Sequence, residues 1–376
     1  MNVVMNSIYF PPEIGGLESH VYYLCRGLVG RGCDVSIITS RSQKKLPTYE
    51  VMDGIKVWRT WLPARTTLGW SIHGVSSIPK LGKTISQADI IHAQTFQSIF
   101  PAFVANRKHN APLISTLHTS HFLERAKNPL WRTIFKQLLR WPDYNLAASV
   151  EIADVTKGIL PNVKVEALVN GVDTEVFRKT SPTFTRSSRI CIVVPRRLFK
   201  KNGVDFFIRA MPLIAKHKDV EALIVGDGPE RNNLKNLAKK LGIIDRIHFL
   251  GIRTHAEMPG ILNSAQLAIF PSLMEATSVA VLESMACEIP VAASNVGGLP
   301  ELIDNKVGGL FEPGNPQALA ESVISLLDRD DLPTLGIQAR ARVIDKWSNL
   351  RLVDRHLEVY RDLINSEQST TNFSPS

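Results

Sequence analysis

Two glutamates eight positions apart, Glu275 and Glu283, are the residues of this sequence whose types and spacing point most directly to chemistry. The apolar run Leu267–Phe270 before them predicts a buried strand, and Ser278–Cys287 predicts a helix that opens on a good N-cap residue. Glu275 then lies in the loop before the helix and Glu283 within it. Carboxylates accept hydrogen bonds from adjacent hydroxyls, so the pair suits a sugar together with a ribose. Two surface glutamates beside a core helix fit the spacing equally well.

The predicted helix lies between two strands, because Ile289–Ala293 reads as a second buried strand. In an open parallel sheet, ligands bind beyond the carboxyl ends of the strands, where a strand turns into a helix. A helix N-terminus at that place offers N–H groups and a partial positive charge to a phosphate.

Four cations occupy a similar position earlier in the chain, between the predicted strand Arg189–Val194 and the predicted helix Val204–Ala215. They are Arg196, Arg197, Lys200 and Lys201. Four positive charges in one loop repel each other unless an anion lies among them, and a nucleoside diphosphate would fit. A solvated basic loop is the alternative.

Glycine turns follow three other predicted strands and would let the backbone approach a ligand closely. They are Gly15-Gly16 after Asn2–Ile8, Gly226 and Gly228 after Glu221–Val225, and Gly251 after Arg246–Leu250. For the first pair, a plain tight turn is the alternative.

Two histidines stand at or just after the ends of predicted strands. His92 ends Ala88–His92, and His118 follows Leu113–Leu117. Because parallel strands end at the same edge of a sheet, both are candidates for a ligand site. A satisfied structural histidine is the alternative for each.

Taken in order, these motifs resemble glycosyltransferase family 4. E-x7-E at 275–283, M-A-C-x-x-P-V-x-A-S at 285–294 and G-G-L-P-E at 297–301 are similar to the donor-site signature of that family. P-P-x-x-G-G followed by L-E-x-H resembles its first loop, and N-G-V-D at 170–173 resembles the exit from its first domain. The family has the GT-B fold, so the resemblance implies two Rossmann-like α/β domains, each a doubly wound parallel sheet, facing a cleft.

The resemblance also implies roles for individual residues. Glu275 contacts the donor sugar, Glu283 holds the nucleotide ribose, and His118 contacts the sugar near the reacting centre. Arg197 neutralises the diphosphate, and we assign the partner lysine to Lys201 because Asn202 occupies the strict position. The predicted substrate-binding set is Gly15, Gly16, His92, Gly226, Gly228, Gly251, Ala276, Thr277, Ser278, Val279 and Glu283. Ala276-Thr277-Ser278 stands where the family often has Gly-Phe-Gly, which bears on donor identity.

The function that the resemblance implies is retaining transfer of a hexose from a nucleotide-diphosphate sugar to a hydroxyl of a lipid, a lipid-linked glycan or a polysaccharide. We expect neither a cofactor nor a metal, because the acidic cluster Asp328–Asp331 reads as a solvated helix end. Two alternatives are a nucleotide-sugar 2-epimerase and a non-catalytic nucleotide-sugar-binding subunit.

Length and composition agree with a two-domain globular protein. The chain has 376 residues, of which 44% are hydrophobic and 21% charged. We expect no transmembrane helix and no signal peptide, because no run of 18 or more apolar residues exists and the chain opens directly on a strand-like segment. Four scattered cysteines read as buried thiols. These features predict a cytoplasmic protein, which is peripheral on the cytoplasmic face of a membrane if residues 121–141 bind there.

The excess positive charge belongs to the first half. Residues 1–172 contain 19 Lys+Arg against 11 Asp+Glu, and residues 173–376 contain 25 against 24. His121–Trp141 concentrates basic and aromatic residues at the spacing of one helix, which suits the surface of an anionic bilayer. A core-packing helix with a solvated basic face is the alternative. We expect no nucleic-acid partner, because no nucleic-acid motif lies nearby.

The predicted organisation has four parts. Residues 1–176 form an acceptor-binding domain, 189–347 form a nucleotide-sugar-binding domain, 348–364 form a helix that returns to the first domain, and 365–376 form a disordered tail. The Ser/Thr/Pro-rich segment Phe177–Ser188 is the expected linker.

Overall fold

The computed structural model describes residues 1–13, 15–118, 120–184, 188–275 and 278–371. It divides into two compact units. The first runs from Met1 to Asn170 and takes in the segment that begins at Asn349, and the second is Gly171–Ser348.

The first unit is an eight-stranded sheet with helices. Its strands are β1 Asn2–Ser7, β2 Asp34–Arg41, β3 Tyr49–Met52, β4 Ile55–Trp61, β5 Ile90–Gln94, β6 Leu113–Leu117, β7 Tyr144–Ala147 and β8 Val165–Ala167. Its helices, numbered in chain order, are α1 Gly16–Gly30, α2 Thr67–Ile85, α3 Phe96–Asn106, α4 Ser120–Ala126, α5 Pro129–Leu138, α6 Val150–Ile159 and α14 Asn349–Thr371.

The strand order is β3-β4-β2-β1-β5-β6-β7-β8, and all neighbours are parallel except the hairpin β3–β4 at one edge. The inner strands β5 and β6 are buried along their whole length, as expected for a sheet covered on both faces. The chain fills the sheet in one direction from β1 and in the other from β5. The loops after these two strands therefore flank the switch point of the first sheet.

The final helix returns to the first unit, as the GT-B resemblance implied. Val353, Leu357 and Tyr360 of α14 are buried in the same apolar cluster as Leu24 of α1 and Ile114 of β6. The periodic apolar positions of α14 thus complete a core that the preceding elements leave open on this side.

The second unit is a six-stranded parallel sheet. Its strands are β9 Ile190–Pro195, β10 Val220–Val225, β11 Ile247–Gly251, β12 Leu267–Phe270, β13 Val291–Ser294 and β14 Gly308–Phe311. Its helices are α7 Val204–Ala215, α8 Arg231–Lys240, α9 Met258–Leu262, α10 Val279–Ala286, α11 Leu299–Leu302, α12 Pro316–Leu327 and α13 Leu332–Lys346. The strand order is β11-β10-β9-β12-β13-β14, so the direction in which the chain adds strands to the sheet reverses between β9 and β12.

Three predictions about segments are corrected. His121–Trp141 forms two helices, because Asn128 caps a new helix by accepting the N–H of Leu130 and Pro129 starts it. Phe177 of the predicted linker is fully buried, and Thr183 bonds to Gly260, so this segment packs within the second unit.

The predicted disorder of 365–376 is wrong for 365–371, where α14 continues, and 372–376 lie outside the described residues. Within the part of the chain that the structure describes, none of the helices has the length and hydropathy to cross a bilayer.

Candidate active site

The loops after β9 and β12 meet at the switch point of the second sheet and join an arginine to a carboxylate there. Arg196 donates from Nη2 to Ser272 Oγ (2.8 Å), to Asn202 Oδ1 (3.0 Å) and to Glu275 Oε2. The side chains of Arg196 and Glu275 are only 10% and 16% exposed. A charge pair so far removed from water is favourable only when further hydrogen bonds such as those to Ser272 and Asn202 support it.

The arginine loop has its shape because of Asn202 and Gly203. Asn202 is buried and donates from Nδ2 to the carbonyl of Arg197 (2.6 Å). Gly203 has φ +63°, and a Cβ there would lie 1.9 Å from the carbonyl oxygen of Pro271. This position accepts only glycine, since a side chain would force the two loops apart. The N–H of Leu273 bonds to Lys201 O (2.8 Å) and joins the loops a second time.

The side chains of the two neighbouring arginines lie in different environments. Arg197 is exposed, with its guanidinium 5.7 Å from the ring centroid of Phe199, whereas Arg196 is the one bonded to Glu275. Lys201 is half-buried in the same loop. The diphosphate roles of Arg197 and Lys201 therefore remain predictions, and Arg196 is a site residue that the motif comparison missed. Its only sequence signal is its membership of the four-cation loop.

The glycine turns after β10 and β11 lie against the arginine loop. A Cβ on Gly226 would lie 2.3 Å from Arg196 O, and a Cβ on Gly228 would lie 2.4 Å from Leu198 O. Gly226 has φ +137° and donates its N–H to Gly251 O (2.8 Å). These glycines allow three loops to converge at the carboxyl edge of the sheet, and their contact with a nucleotide remains a prediction.

The second glutamate lies inside α10, one turn from its start. Glu283 is 7% exposed, and burial raises its pKa to about 7. Nδ1 of His255, from the loop after β11, lies 3.7 Å from Oε1 of Glu283. Burial lowers the pKa of His255 as well. A carboxyl this hard to ionise gains most when a ligand supplies hydroxyl donors, which fits the predicted ribose contact.

The residues between the two glutamates are described only in part. Ala276 and Thr277 lie outside the described residues, so their predicted substrate contacts stay predictions. Ser278 is buried at the N-cap of α10, and Val279 is partly buried in the first turn.

In the first unit, His118 is held beside the end of β5. Its Nε2 lies 2.7 Å from Gln94 Oε1, an oxygen that can only accept, so Nε2 carries the proton and Nδ1 can accept. The side chain of Asn170 is a further hydrogen-bonding neighbour of the ring and acts to raise its pKa. Burial, with His356 nearby, lowers the pKa of His118 to about 3. His118 is therefore a neutral hydrogen-bonding group at physiological pH, and a general-acid role would not suit it.

The predicted contact of His92 with substrate does not fit the structure. His92 is fully buried, with Nδ1 2.6 Å from Tyr360 Oη and Nε2 2.6 Å from Thr116 Oγ1. Both ring nitrogens have protein partners, one from α14 and one from β6. His92 serves the packing of α14, and no feature of its own sequence segment could have revealed a partner 268 residues away.

His92 and His118 belong to a buried cluster of four histidines, together with His20 and His356. The ring centroids are 4.7 Å apart for His20 and His118, and 5.5 Å for His92 and His356. Burial lowers the pKa of His356 to about 4, and those of His20 and His92 well below the ordinary value.

We expect this histidine cluster to make the protein sensitive to mild acid. Histidines that stay neutral when folded but have a pKa near 6.5 when unfolded stabilise the fold fully above that value, and the contribution is lost as pH falls toward 4. The loss is about 1.4 kcal/mol per pH unit for each such histidine. Burial raises the pKa of Glu283, so the folded state keeps one proton more than the unfolded state at this carboxyl, which partly opposes the loss of stability. Urea unfolding at pH 7, 6 and 5 measures the slope.

His20→Leu should reduce that slope by about one proton, because neither ring nitrogen of His20 has a partner among the described residues. His109→Gln, at an exposed histidine of the same unit, is the matched control and should leave the slope unchanged. An unaltered slope in His20→Leu would refute the account.

The turn before α1 is also partly described. Gly15 has an extended backbone, with φ 173°, and accepts the N–H of Ser19 (3.0 Å) as α1 begins at Gly16. Glu13 anchors the loop by accepting from Ser42 Oγ and Arg65 Nη2, both at 2.6 Å. Ile14 lies outside the described residues. The geometry leaves Gly16 exposed at a helix start, and ligand contact by the glycine pair stays a prediction.

Comparisons with known proteins agree with this arrangement. The family model for Glycosyltransferase Family 4 matches residues 14–176, and the model for Glycosyl transferases group 1 matches residues 178–342. Together they span most of the chain. The chain belongs to glycosyltransferase family 4.

Among similar proteins, an uncharacterized glycosyltransferase of Methanocaldococcus jannaschii is 28% identical over 96% of this chain and 98% of its own length. The GPI3 subunit of phosphatidylinositol N-acetylglucosaminyltransferase from Saccharomyces cerevisiae is 24% identical over 96% of this chain and 83% of its own.

Among solved structures, sucrose-phosphate synthase from Thermosynechococcus elongatus has a TM-score of 0.86 at 19% identity, covering 97% of this chain and 99% of that one. Anabaena HepE in complex with UDP-glucose has a TM-score of 0.77 at 20% identity, covering 96% and 100%. These likenesses establish the GT-B fold, and the chain is a glycosyltransferase of this type.

Proposed function

We propose that this protein is a retaining, metal-independent glycosyltransferase that moves a hexose from a nucleotide-diphosphate sugar to a hydroxyl of a lipid or lipid-linked glycan. The observation that carries the proposal is the Arg196–Glu275 pair at the switch point of the second sheet, with the buried Glu283 one turn into the helix that follows Glu275. An arginine and a carboxylate on two loops, and a second carboxylate in the first turns of α10, lie at one sheet edge, which is where α/β proteins bind nucleotides.

Each residue has a chemical task in this proposal. Arg197 and Lys201 stabilise the leaving diphosphate, with help from the positive end of α10. Glu275 accepts hydrogen bonds from sugar hydroxyls and Glu283 from the ribose. In the first unit, His118 offers neutral Nδ1 as an acceptor for a sugar hydroxyl. Because the configuration is retained and no protein group is assigned as nucleophile, the acceptor hydroxyl attacks the anomeric carbon from the face that the diphosphate leaves. The bond to the diphosphate breaks, and the hydroxyl proton passes to the departing phosphate oxygen.

Relatives and neighbours favour a uridine-nucleotide sugar and a lipid acceptor. HepE was solved with UDP-glucose, and the yeast relative is by name a phosphatidylinositol N-acetylglucosaminyltransferase subunit. We therefore place UDP-N-acetylglucosamine and UDP-glucose first in a donor screen, with GDP-mannose and ADP-glucose as competing classes.

A thermal-shift panel of these four donors tests the proposal. One nucleotide class should raise Tm, since a ligand at a hundred times its Kd stabilises the folded state by about 2.7 kcal/mol. Arg197→Ala should abolish the rise without lowering the donor-free Tm, because Arg197 is exposed. Arg209→Ala, an exposed arginine of α7, is the control and should behave as wild type.

Product analysis with the donor that binds separates transfer from its alternatives. Transfer to a lipid acceptor supports the proposal, and retention follows from the anomeric proton coupling of the product. Conversion of the donor to its 2-epimer without acceptor would overturn it in favour of an epimerase. Absence of any shift with all four donors would also overturn it.

A further inference from the structure

Helix α2 exposes an apolar face that nothing in the described structure covers. Leu68, Ile72 and Val75 lie one turn apart on one side of the helix and are 71%, 36% and 59% exposed. The sequence from 66 to 79 contains no charged residue. A helix that faces water carries polar or charged residues on its outer side, so this face is built for contact with something apolar.

The neighbouring helices extend the same surface. Pro101 of α3 packs beside Gly74 of α2, and Phe96 of α3 lies 5.1 Å from the ring of Phe135 in α5. Arg125 of α4 reaches Thr67 at the start of α2 (3.4 Å). On these adjacent helices further apolar side chains are exposed. We call the whole set the α2–α5 face: Leu68, Ile72, Val75, Phe100, Leu130 and Ile134.

The charge around the α2–α5 face is strongly positive. Residues 61–141 contain ten lysines and arginines against two acids, Asp89 and Glu124, so this stretch holds the entire positive excess of residues 1–172. The exposed cations on and beside α5 are Lys127, Arg132, Lys136 and Arg140. Because few acidic residues lie among these cations, the electrostatic potential of the surface is positive over a wide area. Such a surface attracts an extended anionic partner.

Exposed aliphatic side chains set within a basic surface match an anionic bilayer. Such a membrane offers a dense layer of negative headgroups and an apolar interior within several ångströms of them. A nucleic acid would match the cations but would leave the uncharged α2 face in water. A second copy of the chain would bring like charges together.

We propose that the α2–α5 face docks on an anionic lipid bilayer, with Leu68, Ile72, Val75, Leu130 and Ile134 entering the headgroup boundary and the surrounding lysines and arginines contacting lipid phosphates. This inference extends beyond the basic stretch at 121–141 to α2 and α3. It concerns where the protein works and holds whatever donor the second unit binds.

Co-sedimentation with vesicles tests the proposal on the full-length protein. Vesicles prepared from phosphatidylcholine with about 30% phosphatidylglycerol should bind the protein, and vesicles of pure phosphatidylcholine should bind it at least tenfold more weakly. Lys127→Gln with Lys136→Gln should weaken binding about thirtyfold, at about 1 kcal/mol per cation. Leu68→Ser with Ile72→Ser and Val75→Ser should weaken it at least tenfold.

Two matched controls keep the outcome specific. Lys239→Gln with Lys240→Gln removes two cations from α8 of the second unit, and Ile337→Ser with Ile344→Ser removes two exposed aliphatic side chains from α13. Both should bind vesicles as wild type does. All variants change exposed side chains, so donor-induced Tm shifts should persist and report folding independently of membrane binding.

Three results would overturn the proposal. One is no binding to the anionic vesicles at low salt. Another is equal binding by wild type and the α2 triple variant. The third is a dimer in sedimentation velocity that the α2 triple variant dissociates, which would assign the α2–α5 face to a second copy.

Discussion

Glu275→Gln should lower kcat/KM for sugar transfer by about a hundredfold to a thousandfold, the range found when a preorganised group at a developing charge is removed. The amide keeps the size of the side chain but carries no charge, so it no longer balances Arg196 and accepts fewer hydrogen bonds from the sugar. The loss should appear mainly in kcat. Initial rates with varied donor at saturating acceptor measure it.

The fold should survive this change, because glutamine can still accept from Arg196. Glu321→Gln, an exposed glutamate of α12, makes the same chemical change elsewhere in the second unit and should leave kcat and KM unaltered. If Glu275→Gln transferred sugar within a factor of three of wild type, the assignment of Glu275 to the donor sugar would be wrong.

Donor affinity should rise about tenfold between pH 6 and pH 8. The donor-free protein holds Glu283 with a pKa of about 7, so at pH 6 most molecules carry a protonated carboxyl that cannot accept from both ribose hydroxyls. Binding must then release a proton. Calorimetric titration of a nucleotide-diphosphate sugar in two buffers of different ionisation enthalpy measures both the affinity and the proton count.

Glu283→Gln should remove this pH dependence and bind the donor about a hundredfold more weakly at pH 8, the loss expected for charge-assisted hydrogen bonds to two hydroxyls. His255→Gln tests whether the neighbouring imidazole is responsible instead. In that variant the pH dependence should persist, and its disappearance there would transfer the titration from Glu283 to His255.

The burial of Glu283, which should make donor affinity rise with pH, should make the stability of the donor-free protein fall with pH. A carboxyl whose folded pKa is raised stabilises the fold fully below its unfolded value and loses that contribution as pH rises through about 7. Glu283→Gln should therefore gain stability relative to wild type between pH 6 and pH 8, whereas Glu321→Gln should not.

Much of the fold could be predicted because local signals coincide with apolar periodicity. The predicted bounds of β6, α7 and β12 match the structure residue for residue. For α12, Asn315 caps the helix and Pro316 starts it, so propensity and pattern agree. The split of His121–Trp141 could have been read from Asn128-Pro129, since proline begins a helix far more readily than it continues one.

The site was less accessible to sequence reasoning, because it depends on contacts between distant loops. Arg196 and Arg197 are adjacent and chemically identical, and the contacts that hold Arg196 against Glu275 come from Asn202 and from the close approach of Gly203 to Pro271. His92 lies within β5 opposite Ile114, whereas His118 follows the end of β6. Tyr360 of α14 covers His92, and the sequence of neither strand indicates this contact.

The return of α14 has a consequence for biosynthesis. Val353, Leu357 and Tyr360 leave the ribosome only after all of Gly171–Ser348, so the nascent first unit must wait for the second to be translated before its core can close. At about 5–20 residues per second the wait is on the order of ten to forty seconds. During that time the imidazoles beneath α14 face water, which makes this interval the one in which a chaperone has most to protect.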